Sequence, residues 1–153
     1  MKFLRGLILS CVLLVPQVAQ KAEPKGYDLG ACTRDSFVPA HFAVTQEGLK
    51  VDEISSEPGS VEKVEGGTLY KYVSKDDKGA SYESISKDGS KHRMILNFEK
   101  GFGLYLINDE PVAGMFISPD DDGSKLAENA MIQFKACINI TSQKKDDSNI
   151  SKT

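Results

Sequence analysis

The sequence predicts an α+β protein: an antiparallel β-meander of about five to seven strands, open or partly closed into a barrel, packed by a C-terminal amphipathic helix and held by one disulfide. Three observations carry this. Turn-forming clusters recur through the middle of the chain, an apolar stripe with helical spacing follows them, and two cysteines remain once an N-terminal leader is set aside.

The leader comes first. Met1-Lys2-Phe3-Leu4-Arg5 is basic, Gly6 to Val15 is apolar, and Pro16-Gln17-Val18-Ala19-Gln20 runs into polar sequence. That order describes a secretory signal peptide over residues 1–20, with exits after Ala19, Gln20 or Ala22. A spanning helix needs about 20 apolar residues, roughly twice this run. A lipid-modified Cys11 is disfavoured because Val12-Leu13-Leu14-Val15, not a polar mature start, follows it. A secreted or periplasmic location is therefore expected, with no stable membrane insertion after cleavage.

Roughly 130 residues then remain, one ordinary domain with a single core. Residues 21–30 read as a polar leader segment, 31–141 as the globular domain and 142–153 as a disordered tail. The formal charge of −3 and the interspersed lysines and acids argue against nucleic acid as a partner. Cys11 leaves with the signal peptide, so Cys32 and Cys137 pair as a structural disulfide in an exported chain. No flanking histidine or C-x-x-C partner marks Cys32 as reactive.

Between the cysteines the elements follow in order. Asp35–Thr45 fits either a short helix or a strand, because Pro39 interrupts its apolar run. Leu49–Ile54 alternates as a short strand, and Ser55–Ser60 is a loop. Turn clusters at Gly66-Gly67, Asp76–Gly79, Asp88-Gly89, Glu99–Gly101 and Asn108–Pro111 separate β-prone runs. These runs are Thr68–Ser74, Ala80–Ser86, Lys91–Phe98, Phe102–Ile107 and Val112–Ser118. In the third, His92, Met94, Leu96 and Phe98 share one face, which Phe102, Leu104 and Leu106 are expected to continue. Lys125 to Ile138 lacks turn residues and repeats Leu126, Ala127, Ala130, Met131, Phe134, Cys137 and Ile138 at helical steps. A final strand through Met131–Ile140 is the rival reading.

Motifs with chemical content are few. Asp120-Asp121-Asp122-Gly123 resembles part of a calcium loop, yet Asn129 stands where the bidentate glutamate belongs, so acidic helix capping is the better reading. His92 fits a core-edge histidine, and His41 has no companion at metal-ligand spacing. No metal or cofactor is predicted, and no catalytic site. A Ser/His/Asp arrangement finds no support in spacing. Asn139-Ile140-Thr141 and Asn149-Ile150-Ser151 match the glycosylation acceptor pattern. Tyr70, Tyr72 and Tyr82 lie on adjacent predicted strands rich in polar residues, and tyrosine favours interfaces. The expected function is an exported, non-enzymatic binding protein that inhibits or neutralises a protein partner through those tyrosines. A carrier of a small apolar ligand in a partial barrel is the first alternative, and a small secreted hydrolase the second.

Overall fold

The computed structural model describes residues 25–57 and 60–150. The signal peptide assigned to residues 1–20 lies outside the described residues, as do the first residues of the predicted leader segment. Among the described residues no helix is long and apolar enough to cross a membrane.

Eight antiparallel strands close into a barrel in simple sequential order, and the last pairs with the first. They are β1 (Gly26–Cys32), β2 (Phe37–Val44), β3 (Gly48–Glu57), β4 (Ser60–Lys75), β5 (Ala80–Ile85), β6 (Lys91–Asn97), β7 (Phe102–Ile107) and β8 (Glu110–Pro119), followed by helix α1 (Leu126–Ile150). Closure leaves no sheet edge unpaired, which removes the aggregation hazard of an open meander. The α+β class, the barrel, the packed helix and the single disulfide all agree with the expectation from sequence. The strand number exceeds it, and the physical reasons are local.

β1 occupies the stretch expected to be a polar leader. Its Leu29 faces the core, whereas Asp28 and Gly30 face outward under the helix, so the strand is buried on both sides despite its polar composition. The ambiguous run resolves as β2, with Pro39 opposite Gly30 on the outer face. Gly66-Gly67 is not a turn. Both glycines adopt positive φ (70° and 61°) inside β4, where the pairing slips between Val51↔Thr68 and Glu53↔Lys63. This is a bulge, and glycine tolerates that conformation at no steric cost.

The barrel interior follows from register. Tyr82 opposes Met94, Met94 opposes Tyr105, Tyr105 opposes Ala113, and Leu29 opposes Ile117 and Ala40. Phe42, Leu49, Val51, Ala80, Leu96 and Met115 complete the buried cluster. His92, Met94, Leu96 and Phe98 do share one side, but Phe102 and Leu104 do not continue it. Asn97 pairs with Phe102 across the turn, which places Gly103 and Tyr105 inward and leaves Phe102 58% and Leu104 37% exposed. One end of the barrel is filled by rings: Tyr27 packs on Phe98 at 4.4 Å between centroids, and Phe98 meets Tyr82 at 6.4 Å.

Helix α1 lies outside the barrel against β1 and β2. It extends past Thr141, where the sequence reading began a disordered tail. The Thr141 hydroxyl donates to the Cys137 and Ile138 carbonyls, and no glycine or proline interrupts the polar turns beyond it. Its buried face is rotated from the predicted stripe. Leu126, Ala130, Gln133 and Cys137 are buried, while Met131 and Ile138 are exposed. Gln133 takes a core position because its amide donates to the Asp28 carbonyl (3.2 Å) and to the Ser118 hydroxyl (3.1 Å). The disulfide joins Cys32 at the end of β1 to Cys137, with Cα atoms 5.8 Å apart, as expected from the cysteine arithmetic.

Candidate functional site

Two constellations gather chemistry, one inside the barrel and one between barrel and helix. Inside, Tyr70 from β4 and Tyr105 from β7 pack against the apolar cluster. Tyr70 and Tyr105 share a side-chain hydrogen bond, and Tyr105 is hydrogen-bonded to His92 Nδ1. The result is a polar chain, Tyr70–Tyr105–His92, crossing an otherwise apolar wall. Burial is the leading reason why the Tyr70 and Tyr105 hydroxyls are pushed above the ordinary tyrosine range. Burial acts in the same direction on Tyr82.

Small residues oppose two members of this chain, Ala113 across from Tyr105 and Ser84 across from His92, while Ala31, Val38, Ala40 and Ile54 face inward on β1, β2 and β3. Val38 faces inward by register with Ala31 and yet is 48% exposed. Val38 lies at the end of the barrel bounded by residues 33–36, 86–90 and 108–109, opposite the ring-filled end.

The three tyrosines predicted to form one binding surface do not. Tyr72 is 53% exposed, its cross-strand partner Tyr82 is buried and meets it edge-on at 5.7 Å, and Tyr70 points into the lumen against Phe42 at 5.9 Å. By register all three stand on the face that closure turns inward, so the barrel buries Tyr82 and directs Tyr70 into the lumen, and only Tyr72, towards the end of β4, stays exposed. Sequence alternation located the strands but could not reveal which face a closed barrel turns inward.

The protein has no tryptophan and five tyrosines, so phenolate absorbance reads these groups directly. In the folded protein, Tyr70, Tyr82 and Tyr105 should ionise only above the ordinary range, whereas the urea-unfolded chain should titrate as a single step near about pH 10. Because the folded values are raised, the associated stability is present below about pH 10 and is lost as pH rises towards those values. A single step near the ordinary value, with circular dichroism unchanged, would contradict the buried placement.

The second constellation is Asp28, His41 and Asp120, which the sequence reading missed because it weighed spacing along the chain. Asp28 on β1 and His41 on β2 are cross-strand partners on the outer face, and Asp120 follows β8, the other neighbour of β1. Helix α1 covers them. His41 Nδ1 lies 2.9 Å from Asp28 Oδ1, and Asn129 Nδ2 donates to Asp28 Oδ2 at 2.7 Å. The Lys125 N–H donates to Asp120 Oδ2 at 2.9 Å. The residues are 0%, 3% and 3% exposed in the order Asp28, His41, Asp120.

The hydrogen bond to Asp28 is the strongest influence on the imidazole and holds His41 above its ordinary value, although burial opposes it. Burial raises the Asp120 carboxyl, and its hydrogen bond with Asp28 raises it further. The three aspartates of the 120–122 turn do not converge as a calcium loop would. Asp121 accepts from the Lys25 N–H and Asp122 from the Ser124 N–H, so only Asp120 points beneath the helix.

Gly26 permits this closeness. A β-carbon there would meet the Asp120 carbonyl oxygen at 2.7 Å and the His41 ring at 2.8 Å. Gly26→Ala should therefore cost about 1–3 kcal/mol, as overpacking does where the neighbour is backbone. Urea denaturation measures it, and an unchanged midpoint would mean the turn yields freely.

Outside the barrel, an apolar groove of about 660 Å³ runs between the β7–β8 surface and the middle of α1, lined by Phe102, Leu104, Val112, Phe116 and Ile140. Comparison of the chain with protein-family models, with curated proteins and with solved structures found no match. What the chain does must therefore be argued from its own geometry.

Proposed function

We propose that this is an exported, non-enzymatic carrier of a small, mainly apolar molecule with one polar end. The observation that carries the reading is the Tyr70–Tyr105–His92 chain, which projects from the inner wall beside the small side chains of Ala113 and Ser84. A closed barrel of eight strands is of the size class that either fills with side chains or holds one small ligand. Here the ring-filled end supports a floor, while the hydroxyl and imidazole groups offer a place for a ligand's polar head. The disulfide supports export. The non-enzymatic reading is supported by the burial of the His41–Asp28 pair beneath the helix, where it meets a substrate only if the helix undocks.

Binding of a fluorescent fatty-acid analogue tests the reading. It should be saturable, and Ala113→Trp should abolish it by filling the inward side of β8. Tyr105→Phe should weaken it about tenfold, the worth of a hydrogen bond of about 1.4 kcal/mol, and leave a headless hydrocarbon probe unaffected. No saturable binding, or equal binding by Ala113→Trp, would defeat the carrier.

The protein-neutralising reading keeps one observation in its favour, the exposed apolar groove at Phe102 and Val112. Its surface would then be that groove with Tyr72 apart from it, since the tyrosines do not form one patch. Phe102→Asp would abolish partner capture and spare the fatty-acid analogue.

A further inference from the structure

We propose that Asp28, His41 and Asp120 form a structural site for one divalent transition-metal ion, with Zn²⁺ as the first candidate. This inference is independent of the barrel interior. The three residues each offer one ligand atom, and these atoms all lie within 4.8 Å of one another. A four-coordinate ion with nitrogen and oxygen ligands at about 2.0–2.2 Å requires ligand separations of roughly 3.4 Å. His41 Nδ1 and Asp28 Oδ1, at 2.9 Å, need to part only slightly to admit it.

The donor set suits this class of ion. Imidazole favours zinc and its neighbours over calcium and magnesium, which take oxygen ligands. Charge points the same way. In the form that ligates a metal, with both carboxylates ionised and the imidazole neutral, the set would carry two negative charges in a place almost without solvent, which a divalent cation would cancel.

The surroundings also resemble those of a ligating set. Each carboxylate uses its other binding capacity on a fixed donor: Asn129 Nδ2 on Asp28 Oδ2, and the Lys125 N–H on Asp120 Oδ2. Such outer hydrogen bonds orient ligating carboxylates. Water completes the coordination, and the exposed Asp121 and Asp122 of the same turn give a cation an acidic approach. Three covalently distant segments would be joined, β1, β2 and the β8–α1 turn, so the ion would lock the start of the helix as the disulfide locks its middle.

The full disulfide-bonded chain, stripped of metal, is titrated with Zn²⁺ in a calorimeter while the histidine ring resonances are followed by NMR. His41 and His92 are the only histidines, so the assignment is decisive. One ion per chain should bind, His41 signals should move and His92 signals should stay. Asp120→Asn, which keeps an acceptor for the Lys125 N–H, should abolish binding, and Asn129→Ala should weaken it by about tenfold or more. Should Asp120→Asn fail to fold, the ring resonances of the parent protein decide alone. No binding, movement of His92 in place of His41, or binding by folded Asp120→Asn equal to the parent would overturn the site and leave a proton-linked cluster.

Discussion

Replacing Cys32 and Cys137 together by serine should lower the free energy of unfolding by about 3–5 kcal/mol. The bridge spans 105 residues, and loop-closure entropy for a loop of about 100 residues amounts to about 4.7 kcal/mol, with native strain and residual denatured structure reducing what is observed. The location sharpens the expectation. Helix α1 packs mainly on β1 and β2, and among its described side chains the buried apolar ones are Leu126, Ala130 and Cys137, with Phe134 half-buried against Phe37 at 5.7 Å. A helix held by so little apolar surface depends on the bridge to remain docked. Guanidine denaturation of the reduced or serine protein should show helical signal lost ahead of the barrel. Coincident transitions at an unchanged midpoint would show that the polar contacts suffice.

Asp28→Ala should be as damaging, at about 3–5 kcal/mol, because it removes one partner from a buried charged group and leaves the others. His41 would lose the acceptor for Nδ1, and Asn129 would lose the acceptor for its amide. Asp28→Asn should cost less, since it keeps the volume and one carbonyl oxygen. A double-mutant cycle between Asp28→Ala and Asn129→Ala isolates their contact, and a coupling of about 0.5–3 kcal/mol is expected for residues that touch. Strict additivity would mean that Asn129 does not hold Asp28 in solution. The two large effects together predict that α1 has two anchors, a covalent one at Cys137 and a polar one at Asn129 and Gln133.

Much of the β architecture was legible in local chemistry. Lys91–Phe98 alternates cleanly and became β6, and Asp88-Gly89 and Asn108-Asp109 mark hairpins that the structure contains, the latter pair with φ of 50° and 66°. Two elements escaped for opposite reasons. β1 carries Asp28 and Gly30 at positions that a one-sided strand would make apolar, because a helix and not solvent covers them. β4 carries a glycine pair that looks like a turn, because a bulge and a turn make the same demand on φ. The helix was found by its spacing, yet its buried face was misplaced by a polar residue, Gln133, whose partners Asp28 and Ser118 are far away in sequence.

The candidate sites were least legible. His41 looked isolated because Asp28 and Asp120 reach it through strand pairing and closure of β8 on β1, neither of which leaves a spacing in the chain. Tyr70, Tyr72 and Tyr82 looked alike because alternation separates two faces without saying which becomes the inside of a barrel.

By itself the sequence determined the exported-type leader pattern, the strand-and-turn rhythm, the terminal helix and the pairing of Cys32 with Cys137. Each of these depends on neighbours within a few residues or on simple counting. The tertiary structure alone decided that the meander closes, that Tyr70, Tyr105 and His92 line its interior, and that Asp28, His41 and Asp120 meet beneath the helix. Those outcomes depend on register and closure across the whole chain, where a single-residue slip exchanges the inner and outer faces of every strand.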